Sequence, residues 1–483
     1  MRRSSSRTSG SVLVWTVLII AILSLVAAEV MRVVTLKYQN SLQTSTWQET
    51  LVAAESGIDL AIIELRKSLY PAPNHSWEGW DNIPGNGVTS YGLSTIPNAG
   101  LAGTPMTIAV NVDAPEQLRD PNNSWQYYRV RATGTMPITG PTRVNDNKQD
   151  TRLRKLSLGW ERFTNWVLSP HPFSGSDVAH ASRRIEAIVR PVSSFDQAIM
   201  SVGTLDLTNQ NIVVDSYDSR DSTKSTNGLY DVTKRQENGD IATDGNLIEA
   251  GNAQIHGDVA TNSGTVSGAA NITGIERTDF YQEPIPVSAP SWTSINPTPS
   301  TVNGNVTINA SPIQGSQASR YRLSQISISG GQTLNLAGAQ DGSRTYVEIY
   351  VIGNISVGGT SQIVVAPGVS ATIYFTGNVS IAGNGMVNSN NQPGDLQLYG
   401  IQPAGNSTQT VTLGGNGQLT AAVYAPGADV SVNGSGNNGH VYGSIVGKSV
   451  LMNGVTNLHY DEALGAGGLI NNYKIVSWIE DTR

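Results

Sequence analysis

Residues 12–28 (VLVWTVLIIAILSLVAA) contain no charge and begin directly behind Arg2, Arg3, Arg7 and Gly10. At 1.5 Å per residue, a helix over this run crosses most of a hydrocarbon core of roughly 30 Å. The arginines have no acidic neighbours, so the short N-terminal end is expected to stay in the cytoplasm and everything from Glu29 onward to be exported. A secretory signal cut after Val26-Ala27-Ala28 is the ordinary alternative. It fits poorly, because the helical pattern does not stop there. Leu51, Ala54, Ile58, Ile62, Leu65 and Leu69 recur at three- and four-residue spacing, with Glu55, Asp59, Glu64, Arg66 and Lys67 between them. Gly57 is the interior glycine, and Pro71 and Pro73 supply a stop. One helix over residues 11–70 is expected, about 90 Å long, apolar at its start and amphipathic at its end.

A basic leader (1–10), a glycine, an apolar run and a long amphipathic helix together resemble the layout of type IV pilins and type II secretion pseudopilins. Residues 53–65 (AAESGIDLAIIEL) resemble the helix of PilX-type minor pilins. The resemblance implies cutting by a prepilin peptidase between Gly10 and Ser11, and a fibre in which other pilin or pseudopilin subunits are the partners. Major pilins carry glutamate as the fifth residue after the cut, where it neutralises a neighbour's terminal amine. Trp15 stands there in this chain, and Glu29 lies roughly 27 Å from Ser11 along the helix, too far to substitute. The departure points away from a major fibre subunit and toward a minor one such as a tip subunit. Trp15, Glu29, Glu55 and Gly57 are therefore the informative positions of the assembly helix.

Beyond the helix, composition limits the options. Charged residues are 14% of the 483, against roughly 25% in average chains, and the net charge is −7. Nothing points to nucleic acid. With no cysteine, disulfides, thiolate zinc sites and cysteine nucleophiles are excluded. Residues 71–193 read as a small α+β domain whose antiparallel sheet packs on the second half of the helix. Residues 126–132 (QYYRVRA) and 184–189 (RIEAIV) alternate as its strands, and residues 182–192 (SRRIEAIVRPV) resemble strands of PilX-type proteins.

From residue 194 onward Ser, Thr, Asn and Gly dominate. Residues 194–283 read as a first β-rich solenoid segment. Residues 284–300 read as a proline-rich linker or strand-free crossing. Residues 301–465 read as a parallel β-helix and 466–483 as a C-terminal tail. The solenoid reading rests on repetition: Asn354-Ile355-Ser356-Val357-Gly358-Gly359 returns as Asn378-Val379-Ser380-Ile381-Ala382-Gly383. One such coil cannot bury its apolar residues alone, whereas stacked coils share a core. Ile355, Val357, Val379 and Ile381 should face inward, with Ser356 and Ser380 outward. Residues 377–385, 421–426 (AAVYAP), 441–448 (VYGSIVGK) and 459–464 (HYDEAL) also resemble a domain found fused to PilX-type N-termini.

Catalytic spacing is scarce. There is no HExxH, GxSxG or SxxK. Residues 443–449 (GSIVGKS) are one residue short of a phosphate loop and read as a structural turn. His459, beside Tyr460, Asp461 and Glu462, could serve acid–base work or hold a cation, but a hydrogen-bonded solenoid cap is the commoner role. Asp215, Asp218 and Asp221 are weak Ca²⁺ candidates with Arg220 among them, and a solvated loop is the favoured reading. Eight Asn-x-Ser/Thr triplets fit turn chemistry better than glycosylation. Trp77 and Trp80 could stack a sugar, although core packing is commoner.

The expectation is a non-enzymatic, cofactor-free minor pilin- or pseudopilin-like protein that displays a β-helix at the cell surface, with the membrane, pilin subunits and a surface polysaccharide or protein ligand as partners. Two alternatives stand beside it. One is a membrane-anchored β-helix that binds or degrades polysaccharide, and it is disfavoured by the near absence of charge after Thr345. The other is a self-assembling β-helix scaffold.

Overall fold

The computed structural model describes residues 9–71, 73–81, 89–96, 105–119, 125–137, 180–208, 212–268, 270–292, 295–296, 300–312, 318–339, 341–382, 384–402, 408–415, 418–434, 439–454 and 456–481. One helix, α1 (Ser9–Lys67), opens the chain. Its first half touches nothing: its most apolar stretch has a mean hydropathy of 2.5 and none of it is buried. Its second half packs on an antiparallel sheet. The strands are β1 (Thr89–Ile96), β2 (Met106–Asp113), β3 (Tyr128–Pro137) and β4 (His180–Ser193), joined by a C-terminal strand, Ile470–Asp481. Period-two alternation turns Ile108, Val110, Val130, Ala132, Ile185 and Ala187 toward the helix. Ala54, Ile58 and Leu65 meet them as the spacing predicts. Ala53 and Ala61, which the spacing did not single out, are buried there as well.

Small residues set how closely helix and sheet approach. A Cβ on Gly57 would lie 2.8 Å from the Ala132 Cβ and 2.9 Å from Ile108 Cγ2. A Cβ on Gly134 would lie 2.2 Å from the Thr50 carbonyl oxygen. The two glycines remove a layer of side chain from each surface. Trp77 and Trp80 complete this core: the rings meet edge to face at 5.2 Å, and the Trp77 amide donates to the Glu64 carboxylate at 2.6 Å. They are packing residues, and Trp80 lies across Gly92 of β1.

The remainder is a parallel β-helix. On one face Gln325–Ile328, Ile355–Val357, Val379–Ile381 and Gln409–Gly415 stack in register, pairing Ile355 with Val379 and Ser356 with Ser380. The apolar residues are buried and the serines exposed, as alternation requires. Each fully buried Val or Ile contributes roughly 1.5–3 kcal/mol. At the corners asparagine links successive coils: Asn354 Oδ1 accepts from the Asn378 amide at 2.9 Å, and Asn378 Oδ1 from the Thr410 amide at 3.0 Å.

The coil order differs from the chain order. The strand Ile199–Ser201 pairs with residues 445–447 of the strand Gly439–Asn453, and Val213–Tyr217 pairs with Thr456–Asp461. Coils built from 199–217, then 241–255 and 259–272, with 276–277 opening a further one, therefore sit on top of the 439–461 coil. The segments expected at 194–283 and 301–465 form one solenoid, and the one nearer the N-terminus stacks last. Residues 284–292 and 295–296 lie along the outside. Ile285 is tied to Asn471 and Tyr424, Trp292 packs on Tyr374, and Asn296 exchanges hydrogen bonds with Arg320. Among its described residues the expected linker carries no strand, and the coils beside it are stacked at about 4.8 Å each. The tail expected at 466–483 is instead mostly a sheet strand. Residues 470–481 alternate poorly and follow a Gly-rich run, so nothing local advertises their pairing with β4. The β-helix is thus inserted between two neighbouring strands of the sheet.

Gly134→Ala should lower stability by about 1–3 kcal/mol through overpacking against backbone. Gly57→Ala should cost less, because side-chain methyls can shift. Chemical unfolding of the detergent-solubilised chain measures both. In the same assay Val379→Asp should cost several kcal/mol and Ser380→Asp under ~1 kcal/mol; equal effects would mean that the register is wrong.

Candidate functional site

The seam where Thr456–Asp461 meets Val213–Tyr217 carries a dense group of titratable side chains. Pairing sets His459 opposite Asp215, both nearly inaccessible, with His459 Nδ1 2.6 Å from Asp215 Oδ1. The Tyr230 hydroxyl donates to Asp215 Oδ2 at 2.6 Å, and its ring stacks on His459 at 3.8 Å. His440 Nδ1 lies 2.9 Å from His459 Nε2. An ionised Asp215 can only accept, so a neutral His459 carries its proton on Nδ1 and accepts at Nε2 from His440. Burial, then the neighbouring His459, pushes the His440 pKa down. Burial, then the Asp215 hydrogen bond, pushes the Tyr230 phenol up.

The rest of the HYDEAL run locks the same seam. The Tyr460 hydroxyl donates to the Phe195 carbonyl at 2.7 Å. Asp461 accepts from the amides of Ser219 and Ala463, capping the short helix Glu462–Ala466. Glu462 accepts from Ser216, Asn238 and Lys224 at 2.8–3.1 Å. Every polar group in the run has a fastening role between segments far apart in sequence. That is the expected hydrogen-bonded role, placed at an internal seam rather than at a cap.

The three candidate calcium ligands do not converge. Asp215 is buried against His459 and Tyr230, not solvated as expected. Asp218 pairs with Arg220 at 3.0 Å, and Asp221 accepts from Thr223. Among the described residues, no group of three or more His, Asp or Glu side chains is placed to hold a metal ion. Residues 443–449 lie inside the strand Gly439–Asn453, so the expected turn is a continuous strand.

The assembly positions lie along α1. Gly10 and Ser11 fall in its first turns, Trp15 is exposed, and Glu29 pairs with Arg32 on its own helix at 2.9 Å. Glu55 is exposed, whereas Gly57 is buried against the sheet. Facing away from the sheet, Val52 and Ile63 stay exposed, and the apolar surface of the first half continues along the rod. The signal for this face was present in the sequence, as apolar residues falling between the core-facing ones.

A family described as "Domain of unknown function (DUF7305)" matches residues 301–466, from the first coil to the end of the short helix at the seam. No curated protein matches the chain. Among solved structures it is similar to the crystal structure of the competence-associated pilin ComZ from Thermus thermophilus. The TM-score is 0.23 and the identity 11%, over 90% of this chain and 97% of that one.

His459→Ala leaves Asp215 buried without its ring partner and should cost about 3–5 kcal/mol. Asp218→Ala should leave the unfolding midpoint nearly unchanged, and added Ca²⁺ should not raise it. Because His440 is depressed in the folded state, unfolded chains bind more protons as pH falls below the ordinary histidine value of about 6.5. Stability should be fully present above that pH and decline below it. His440→Gln should flatten this part of the pH profile in thermal unfolding.

Proposed function

We propose that the chain is a membrane-anchored, pilin-like structural subunit that displays a parallel β-helix outside the membrane. The observation that carries the reading is the division of α1. Its apolar first half is wholly exposed, while its second half is fixed to an antiparallel sheet. An exposed apolar rod is stable only in lipid or among similar rods. The outward face formed by Val52 and Ile63 extends that requirement beyond the membrane segment and suits lateral packing on other pilin or pseudopilin helices.

The basic leader keeps the N-terminus cytoplasmic. A prepilin peptidase then removes residues 1–10, and the exported mass follows the helix into a surface fibre. Trp15 supplies no carboxylate for a neighbour's terminal amine, and Glu29 is engaged by Arg32. Leaving such a charge unpaired in lipid or in a helical core costs several kcal/mol. The subunit is therefore a minor one. The role is structural and non-enzymatic. Self-stacking of solenoids fits less well, because the outermost strand Glu276–Arg277 is short and charged.

The N-terminal residue of the mature protein, read by mass spectrometry from membranes and from sheared surface material, tests the reading. It should be Ser11, and Gly10→Leu should leave the leader attached and the protein missing from the sheared fraction. Mature protein beginning at Met1 or near Glu29 would overturn it, as would a homopolymer formed through α1 alone.

A further inference from the structure

A cleft of about 540 Å³ lies between the solenoid face and the return segment that leads to the C-terminal strand. It continues into a second hollow of about 210 Å³ through Tyr346, Ser370, Gln397 and Gly468, which line both. One wall is a regular surface. Tyr346 is in register with Ser370, and Glu348 with Thr372 and then Gln397. Successive coils thus present polar side chains about every 4.8 Å. The opposite wall is the segment 461–468 with Ser219 and Arg220, and Trp125 of the sheet domain closes one side. The cleft is therefore assembled from three stretches of chain that only the inserted topology brings together.

Its charges are consumed internally. Arg344 is paired with the buried Asp395, Arg220 with Asp218, and Glu348 with Arg320. Asp461 is taken up by two backbone amides. Each of these charged side chains already has a partner within the protein. What the walls offer is two aromatic residues, Trp125 and Tyr346, and hydroxyl and amide groups. Gln397 is held in orientation by donating to the Gly394 carbonyl at 3.0 Å and accepting from Tyr399 at 2.8 Å. Aromatic faces beside fixed neutral donors and acceptors suit the alternating C–H and hydroxyl surfaces of pyranose rings. The coil spacing is close to the repeat of an extended sugar chain. We infer that this cleft binds an uncharged glycan chain, with Tyr346 and Trp125 as stacking residues and Ser370 and Gln397 as hydrogen-bonding ones. The inference goes beyond the assembly role and does not depend on processing at Gly10.

The test is isothermal titration of the full chain in nanodiscs with hexasaccharides of four neutral polymers (β-1,4-glucan, α-1,4-glucan, xylan and chitin) and with hexagalacturonate as the anionic probe. At least one neutral hexasaccharide should bind saturably, more tightly than hexagalacturonate. Tyr346→Ala should weaken that binding by about tenfold or more. Ser370→Trp, at an outward, half-buried position lining the cleft, should block the cleft and abolish binding while leaving the unfolding midpoint in place. If Tyr346→Ala does not fold, the Ser370→Trp result decides. Binding of none of the neutral probes, preference for hexagalacturonate, or neutral-glycan binding that survives Ser370→Trp would each overturn the assignment.

Discussion

The pairing of residues 445–461 with residues 199–217 is the contact on which the rest of the molecule depends. A parallel coil ending at Asp461 would present an open row of backbone donors and acceptors, a liability in any sheet protein. Here the row is filled by a segment that left the sheet domain more than two hundred residues earlier. Three consequences follow from that geometry. The solenoid becomes one continuous core. The chain must travel back outside it, and residues 284–292 and 295–296 lie on that side. And the chain enters and leaves the solenoid side by side, with the Ser194 amide donating to the Leu469 carbonyl at 2.8 Å and Ser193 donating to the Leu464 carbonyl at 2.8 Å. The C-terminal strand can reach β4 because of that adjacency.

The seam concentrates the buried ionic chemistry for the same reason. Apolar coils slide past one another at little cost, since one Val–Ile step resembles the next. A buried Asp215 that is satisfied only by His459 and Tyr230 permits one register. Buried polar pairs are weak sources of net stability, but they penalise misalignment heavily. This accounts for the HYDEAL run falling at the joint and not within the repetitive coils, where Asn354 and Asn378 perform a milder version of the task at the corners.

What the sequence conveyed divides along the same line. The helix, its apolar and amphipathic halves, the antiparallel domain and the inward places of Ile355, Val357, Val379 and Ile381 were legible, because each is a local periodicity. The order of coils was not, since parallel strands of similar texture carry no label for their neighbours. The C-terminal strand was missed because its value lies in a distant edge. Asp215 read as solvated because DSYDSRD looks like a loop until strand 456–461 is laid beside it. Gly57 was noticed as an exception within the helix, but its partner Gly134 stood in a strand pattern that gave no hint of a helix overhead. The cleft is illegible for a similar reason: Trp125, Tyr346 and Gly468 share no motif.

The insertion of the solenoid between β4 and the C-terminal strand also determines how the molecule carries load. A pull on the solenoid, from whatever it holds, reaches the sheet through two strand ends, Ser193 and Ile470, that are paired with each other. The points where the chain enters and leaves the coils cannot be drawn apart, so tension between them does not unwind the stack turn by turn. The force passes instead into β4 and its neighbour β3 as shear along their ladder, where many hydrogen bonds resist together. From there it enters α1 where Gly134 meets Thr50 and Ala53 and Gly57 meets Ala132. The solenoid is mechanically short-circuited: the sheet and helix bear the strain and the coils keep their shape.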